Sequence, residues 1–186
     1  MKKSIFLFAL ITMTLSATFA SNGNNISPVQ NESIFIVELP TIVGVAAGNE
    51  NFTTLVAAVK AASLVDVLSA DGPYTVFAPV NTAFDKLPEG TVASLLQPEN
   101  KETLTAILTY HVVAGKVMAA DVVAAIKANN GSYAITTVQG GTLTASIKDG
   151  GVILTDEKGN TSNVVMTDVA ASNGVIHAID SVVMPK

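Results

Sequence analysis

The chain has 186 residues, contains no cysteine and no arginine, and carries a formal net charge of −5 at neutral pH. This length is typical of one ordinary domain with some additional sequence. An acidic chain whose ten cations are all lysines lacks the basic surface that binding to nucleic acid or to anionic lipid requires. We therefore expect neither function.

The first twenty residues have the pattern of a secretory signal peptide. A basic start at Lys2 and Lys3 precedes an apolar run over residues 5–15, and a small-x-small cleavage site ends at Ala20. The apolar run is shorter than the roughly 20 residues of a membrane-spanning helix. A retained anchor is the alternative, but we favour cleavage after Ala20, which predicts a secreted protein without membrane insertion, in the extracellular space, at the cell surface or in the periplasm. The signal pattern and the missing cysteines indicate a bacterial source.

Residues 21–39 are predicted to form a polar linker between the signal peptide and a domain over residues 40–186. The segment is rich in asparagine and serine and has little to bury. Residues 34–39, with the sequence IFIVEL, are the exception. They form either a short strand or a segment that docks on the domain, and the pattern leaves both open.

Helical periodicity dominates the first half of the domain. Phe52, Leu55, Val56 and Val59 recur at the spacing of an amphipathic helix. A second short helix is predicted around Leu64, Val65 and Leu68, and further helices are predicted over residues 91–97, 98–109 and 118–127.

A strand that turns into a helix is predicted over residues 74–87. Alternation places Val76 and Ala78 on one face and Thr75 and Phe77 on the other, and Pro79 ends the ladder because it has no N–H to donate. Asn81 then stands at a favourable N-cap position, where its side chain could accept the amide of Ala83 or Phe84. Phe84 and Leu87 would share the inner face of that helix.

Beyond residue 131 the apolar period changes from helical to alternating. Short strands are predicted over residues 133–138, 142–147 and 152–156, joined by glycine-containing hairpin turns, and the last strands over 163–169 and 175–183. Helices that come first and hairpins that come later indicate an α+β fold.

Three segments resemble the motifs of fasciclin-type (FAS1) domains. They are TVFAPVNTAF from Thr75, LTYHVVAGKV from Leu108, and NGVIHAIDSVVMP from Asn173. The resemblance implies a wedge of two β-sheets with several helices packed along one side, and it places the first and last segments side by side at the centre. The residues that carry this signature, which we expect to be structural, are Thr75, Phe77, Pro79, Asn81, Phe84, Gly115, His177 and Asp180.

The resemblance also implies candidate partner-binding residues. In animal FAS1 domains, the Tyr-His segment and an Asp-Ile pair before the last motif are implicated in integrin binding. The first corresponds here to Tyr110 and His111. The second corresponds to Asp168 and Val169, where valine replaces isoleucine.

The sequence contains no recognisable constellation for catalysis, metal binding or cofactor binding. Its two histidines lie far apart, and the spacing of His177 and Asp180 places them on opposite faces of a strand. We expect His177 to be buried or half-buried and hydrogen-bonded to backbone. We expect His111 to be partly exposed, shielding the end of a helix.

These observations favour a secreted, non-enzymatic adhesion or interaction module that binds a protein or matrix partner at the cell surface or in the extracellular matrix. The alternative is a carrier of a small ligand or lipid, with its site between the helices and the sheet. A hydrolase is a third hypothesis, which the scattered acidic groups and histidines disfavour.

Overall fold

The computed structural model of the protein describes residues 39–186. The predicted signal peptide and nearly all of the predicted linker lie outside these residues. The helices are Ile42–Ala47 (α1), Thr53–Ala61 (α2), Val65–Ser69 (α3), Asn81–Asp85 (α4), Thr91–Leu95 (α5), Lys101–Tyr110 (α6) and Ala119–Ala128 (α7). The strands are Tyr74–Pro79 (β1), Val112–Ala114 (β2), Ser132–Thr136 (β3), Thr142–Lys148 (β4), Gly151–Thr155 (β5), Thr161–Ala171 (β6) and Gly174–Ile179 (β7).

The predicted order of helices first and hairpins later is confirmed, and the fold is α+β. α2 buries Leu55 and Val59, and Phe52 immediately before it is also buried, as their spacing predicted. α1 was not predicted, because it is short and contains a glycine, so that its six residues display too little periodicity to be recognised.

The seven strands are hydrogen-bonded in the order β2-β1-β7-β6-β5-β4-β3. β6 joins the two sheets of the predicted wedge, because its first three residues pair with β5 and the residues from Val164 onward pair with β7. At the outer ends, the amide of Val138 donates to the carbonyl of Val112 at 2.7 Å, which brings the end of β3 close to β2. The sheet is therefore nearly closed into a barrel.

The first and last signature segments meet as parallel neighbours at the centre of the sheet. β1 and β7 pair in register, from Tyr74 beside Gly174 to Pro79 beside Ile179. A Cβ atom on Gly174 would overlap the backbone carbonyl oxygen of Tyr74, so only glycine lets the two strands approach this closely. The predicted side-by-side placement is confirmed.

Both faces of these central strands are buried, each in its own apolar core. Val76, Ala78, Ile176 and Ala178 pack beneath helices that include α1, α2 and α6. On the opposite face, Phe77 belongs to a second core that is completed by α7 and the hairpin strands. The two faces of β1 that the alternation predicted therefore point into two different cores, and neither face points to solvent.

Two predicted details of these strands and helices are wrong. Asn81 is the first residue of α4 and not its N-cap, because the carbonyl of Val80 accepts the amide of Ala83. The last strand ends at Ile179 and does not continue to residue 183. The reason is that side-chain oxygen and nitrogen atoms accept the backbone amides of Ser181, Val183 and Met184.

Candidate functional site

Thr75 on β1 holds the loop after β2 against the sheet. Its hydroxyl donates to the carbonyl of Gly115 at 2.7 Å and accepts from the amide of Val117 at 2.8 Å. The side chain is fully buried, so these bonds form away from water. Gly115 has a φ of +98°, in the left-handed region that favours glycine. These two signature residues therefore have a structural role.

His177 on β7 uses both ring nitrogens to bind backbone. Nε2 lies 2.9 Å from the carbonyl of Val117, and Nδ1 accepts from the amide of Asp168 at 3.2 Å. This arrangement requires the neutral imidazole protonated on Nε2, because one nitrogen donates and the other accepts. The ring is buried, which confirms the sequence prediction. Neither nitrogen is left to transfer a proton.

His111 follows α6 and is also buried, so the prediction that it is partly exposed is wrong. Nδ1 lies 2.8 Å from the carbonyl of Ile107 in the last turn of α6, and Nε2 accepts from the amide of Val183 at 3.3 Å. Burial lowers the pKa of His111 to about 4, although the bond to Ile107 opposes this shift. The segment containing Val183 covers the imidazole, and local sequence could not reveal that cover.

Tyr110 is the last residue of α6, and its side chain is buried in the protein interior. Its hydroxyl donates to the carbonyl of Thr142 at 2.7 Å and accepts from the amide of Glu157 at 3.3 Å. Burial raises the pKa of this hydroxyl. The Tyr110 ring is fully buried in the core that contains Phe77. Because the side chains of Tyr110 and His111 are both buried, a partner at the surface cannot touch either unless the covering residues move.

Asp168 and Val169 lie at an irregular part of β6. The pairing of β6 with β7 shifts register between Met166 and Val169, and Asp168 has a φ of +59°. Oδ1 of Asp168 accepts from the amide of Ala119 at 2.9 Å, so the carboxylate caps the beginning of α7. Asp168 is exposed, whereas Val169 is half-buried against the helical core. A contact role for this pair stays a prediction.

Asn81 has a role that the sequence analysis missed. Its Oδ1 accepts from the amide of Thr54 at 3.1 Å, in the first turn of α2, and its Nδ2 donates to the carbonyl of Glu50 at 2.8 Å. The residue therefore caps a helix 27 positions earlier in the chain. Asparagine is a common capping residue, so the sequence correctly indicated a cap. Which helix it caps depends on tertiary packing. The neighbouring signature residue Phe84 is half-buried against the apolar cores, as expected for an inner face.

Asp180 organises the exit from β7. It forms a salt bridge with Lys86 at 3.2 Å and accepts hydrogen bonds from the amide and the side chain of Asn163. Burial acts to raise the pKa of Asp180, but the bonds from Asn163 and the Lys86 ammonium outweigh it and lower the pKa to about 2. The carboxylate therefore remains ionised and fully engaged, which is a structural role.

A groove of about 310 Å³ is open to solvent beside the first irregularity of β6. We call it the β6 groove. Its lining includes Val80, Asn81 and Thr82, which follow β1, and Val165 and Met166 on β6. Val165 is 57% exposed and Met166 is 45% exposed. Three consecutive apolar residues, Val164, Val165 and Met166, interrupt the alternation expected of a strand, and this was the only sequence signal for the site.

The space between the helices and the sheet is nearly filled. The cavity there has a volume of about 30 Å³ and is lined by apolar side chains and His111. Within residues 39–186, no group of three His, Asp or Glu side chains is arranged to hold a metal ion. None of the helices of this part of the chain combines the length and apolar character needed to cross a membrane.

Comparison with known proteins identifies the family. The model of the fasciclin domain family matches residues 50–185. Protein sll1483 of Synechocystis sp. is 57% identical over 145 residues, which cover 78% of this chain and 73% of that protein. Immunogenic protein MPB70 of Mycobacterium bovis is 40% identical over 145 residues, which cover 75% of this chain and 66% of that protein.

The fold agrees with that of a solved structure. The structure of a FAS1 domain pair from the insect cell adhesion molecule fasciclin I matches with a TM-score of 0.69 at 20% identity. The match covers 78% of this chain and 51% of the fasciclin I chain, and it shows a shared fold. Together with the parallel pairing of its two signature segments, these matches show that the chain belongs to the fasciclin domain family.

Proposed function

We propose that this protein is a secreted, non-enzymatic interaction module that binds a protein or matrix partner at the cell surface or in the extracellular matrix. The β6 groove is the proposed contact surface. The observation that carries this proposal is the exposure of Val165 and Met166 side by side on the rim of the groove.

Exposed apolar side chains that cluster next to a groove are characteristic of interaction sites. The irregular pairing of β6 turns Val165 and Met166 toward the groove instead of alternating them across the sheet. The polar side chain of Thr82, which also lines the groove, could hydrogen-bond a partner. An apolar centre with polar neighbours is the usual composition of a protein interface.

The family relationship is consistent with this proposal. Fasciclin I, which has the same fold, is described as an insect cell adhesion molecule. We extend the interaction role to this chain as a proposal, together with secretion, which rests on the predicted signal peptide.

The dimensions of the interior count against the carrier hypothesis. Binding sites for small molecules usually have volumes of roughly 300–1,000 Å³, whereas the cavity between helices and sheet measures about 30 Å³. The hydrolase hypothesis is disfavoured because the ring nitrogens of both histidines bind backbone groups. A surface contact is therefore the function that the geometry supports best.

The test compares two variants of the purified protein as baits for the surface fraction of the producing organism. The groove variant carries Val165→Thr and Met166→Thr, which keep strand-forming residues but make the rim polar. The control carries Val67→Thr and Val138→Thr, at positions that are similarly exposed but lie outside the groove. We expect a partner captured by the wild type to be retained by the control and lost by the groove variant.

Two results would contradict the proposal. One is capture of no protein or matrix component by the wild-type bait. The other is equal capture by the wild type and the groove variant, which would show that the contact lies elsewhere. Mass spectrometry under native conditions tests the alternative directly, because a carrier would retain a small molecule through purification.

A further inference from the structure

The residues after Asp180 are held by three titratable side chains. The amide of Val183 donates to Nε2 of His111 at 3.3 Å, and the amide of Met184 donates to Oδ2 of Asp156 at 3.0 Å. The amide of Lys186 donates to Oε2 of Glu157 at 3.4 Å. We call residues 181–186 the latch segment.

The latch segment lies outside the β-ladder and covers part of the core that contains Phe77 and a small apolar cluster around Ala83. β7 ends at Ile179, and the segment is held by side-chain bonds and by two buried residues, Val182 and Val183. Val183 packs in the core that contains Phe77, while Val182 packs next to Ala83. A segment with few ladder bonds can open at a lower free energy than the central strands.

Protonation acts on these three bonds in the same direction. An imidazolium carries hydrogen on both nitrogens, so a protonated His111 would direct an N–H at the N–H of Val183 and could no longer accept it. A protonated Asp156 or Glu157 becomes neutral, and the charge-assisted bond to the latch amide weakens. Each step loosens the latch segment without a direct effect on the pairing of β1 and β7.

We propose that the latch segment opens more often at mildly acidic pH, because its open state takes up a proton at His111, while the central strands remain folded. The released segment would uncover the imidazole and the apolar side chains beneath Val182 and Val183. The latch is therefore an acid-sensitive conformational device that is separate from the β6 groove.

The groups around the imidazole make His111 the trigger. Its Nδ1 faces the carbonyl of Ile107, and the other side chains that line the cavity beside it come from α1, α2, α3, α6, β1 and β2 and are apolar. Tyr110 faces Glu157 and not His111. At the start of the segment, Asp180 is paired with Lys86.

Asp156 responds at lower pH than His111 does. Burial acts to raise the pKa of Asp156, but hydrogen bonds from Asn160, Met184 and Lys158 outweigh it, and its pKa lies below the ordinary value. Asp156 therefore stays charged when His111 begins to titrate. Lys186, on the latch itself, contacts Glu157 through its backbone amide.

The size of the effect follows from the two pKa values of His111. Burial holds the pKa at about 4 in the closed state, and release returns it toward the ordinary value of 6.5. Between pH 7 and pH 5, this difference raises the population of the open state up to about 20-fold.

The test measures hydrogen exchange of individual amides in the full chain by NMR, with rates corrected for the intrinsic effect of pH. We expect the protection factors of Val183 and Met184 to fall about 20-fold from pH 7 to pH 5, to begin falling near pH 6.5 and to level off near pH 4. We also expect them to remain well below the protection factor of Ile176 on β7 at every pH. A flat profile, or exchange of the latch amides only at the rate of Ile176, would overturn the proposal.

A matched pair of variants identifies the titrating group. His111→Gln removes the titration and should abolish the 20-fold change between pH 7 and pH 5. His177→Gln alters the other buried histidine, whose bonds go to Val117 and Asp168, and should leave the change intact. An unchanged pH response in His111→Gln would refute the trigger. If His111→Gln does not fold, the pH dependence of the wild-type protection factors decides whether the proposal holds.

Discussion

The ring of Phe77 on β1 is stacked against the imidazole of His177 on β7, with centroids 5.6 Å apart and planes inclined by 30°. The two residues are register partners in the parallel pair. This contact joins segments that lie 100 positions apart in the chain, and it stands beside the bonds that His177 makes to Val117 and Asp168. At the centre of the domain, the imidazole of His177 therefore both packs against Phe77 and hydrogen-bonds to the backbone.

Replacing Phe77 by alanine should lower the free energy of unfolding by about 3–5 kcal/mol, because the side chain is buried and its removal leaves a cavity in the core. Denaturant titration of the purified variant measures this change. Val138→Ala, at an exposed position, serves as the control and should stay within about 0.5 kcal/mol of the wild type. A loss below about 1 kcal/mol in Phe77→Ala would show that the ring is not a core residue.

Replacing Thr75 by valine keeps the shape of the side chain but removes its hydroxyl. The carbonyl of Gly115 and the amide of Val117 then lose their partner inside the protein. We expect destabilisation by about 1–3 kcal/mol, the usual cost of an unsatisfied buried polar group. Thr75→Ser retains the hydroxyl and should recover most of the loss in thermal or chemical denaturation. Equal stability of the valine variant and the wild type would argue against these two bonds.

Replacing Asn81 by alanine removes the cap that this residue provides for α2. The amide of Thr54 and the carbonyl of Glu50 lose their partners, and we expect a loss of about 1 kcal/mol, typical of a missing helix cap. Hydrogen exchange should show faster opening of the first turn of α2 and little change in α4. Thr82→Ala, one residue along, is the matched control. Faster exchange confined to α4 would instead support the local cap expected from the sequence.

The stability of the domain should decrease as the pH falls from about 6.5 to about 4. In this range the unfolded chain binds a proton at His111, whereas the folded chain does not, because burial holds its pKa at about 4. The contribution of His111 to the free energy of unfolding is fully present above pH 6.5. Its complete loss lowers this free energy by about 3 kcal/mol. Denaturant titrations at several pH values measure it, and His111→Gln should flatten the curve in this range. A wild-type stability that is constant between pH 7 and pH 4 would contradict the burial of His111.

Local patterns determined much of the fold. Period-3.6 spacing located α2, α3 and α6, and alternation located β1 and the hairpin strands, because burial of one face imposes these periods on neighbouring residues. The buried position of His177 was predictable for the same reason, since it shares the closing strand with apolar residues. The signature motifs, through their family resemblance, also predicted that β1 and β7 are neighbours.

Tertiary structure alone decided which distant groups meet. The sequence identified Asn81 as a capping residue, but not that it caps α2; it placed His111 after a helix, but not beneath Val183. It also did not indicate that Val165 and Met166 would both face a groove, because that follows from the irregular pairing of β6 with β7. Periodicity reports whether a side chain is buried, whereas partners far apart in the chain are selected by packing and by the need to satisfy backbone groups.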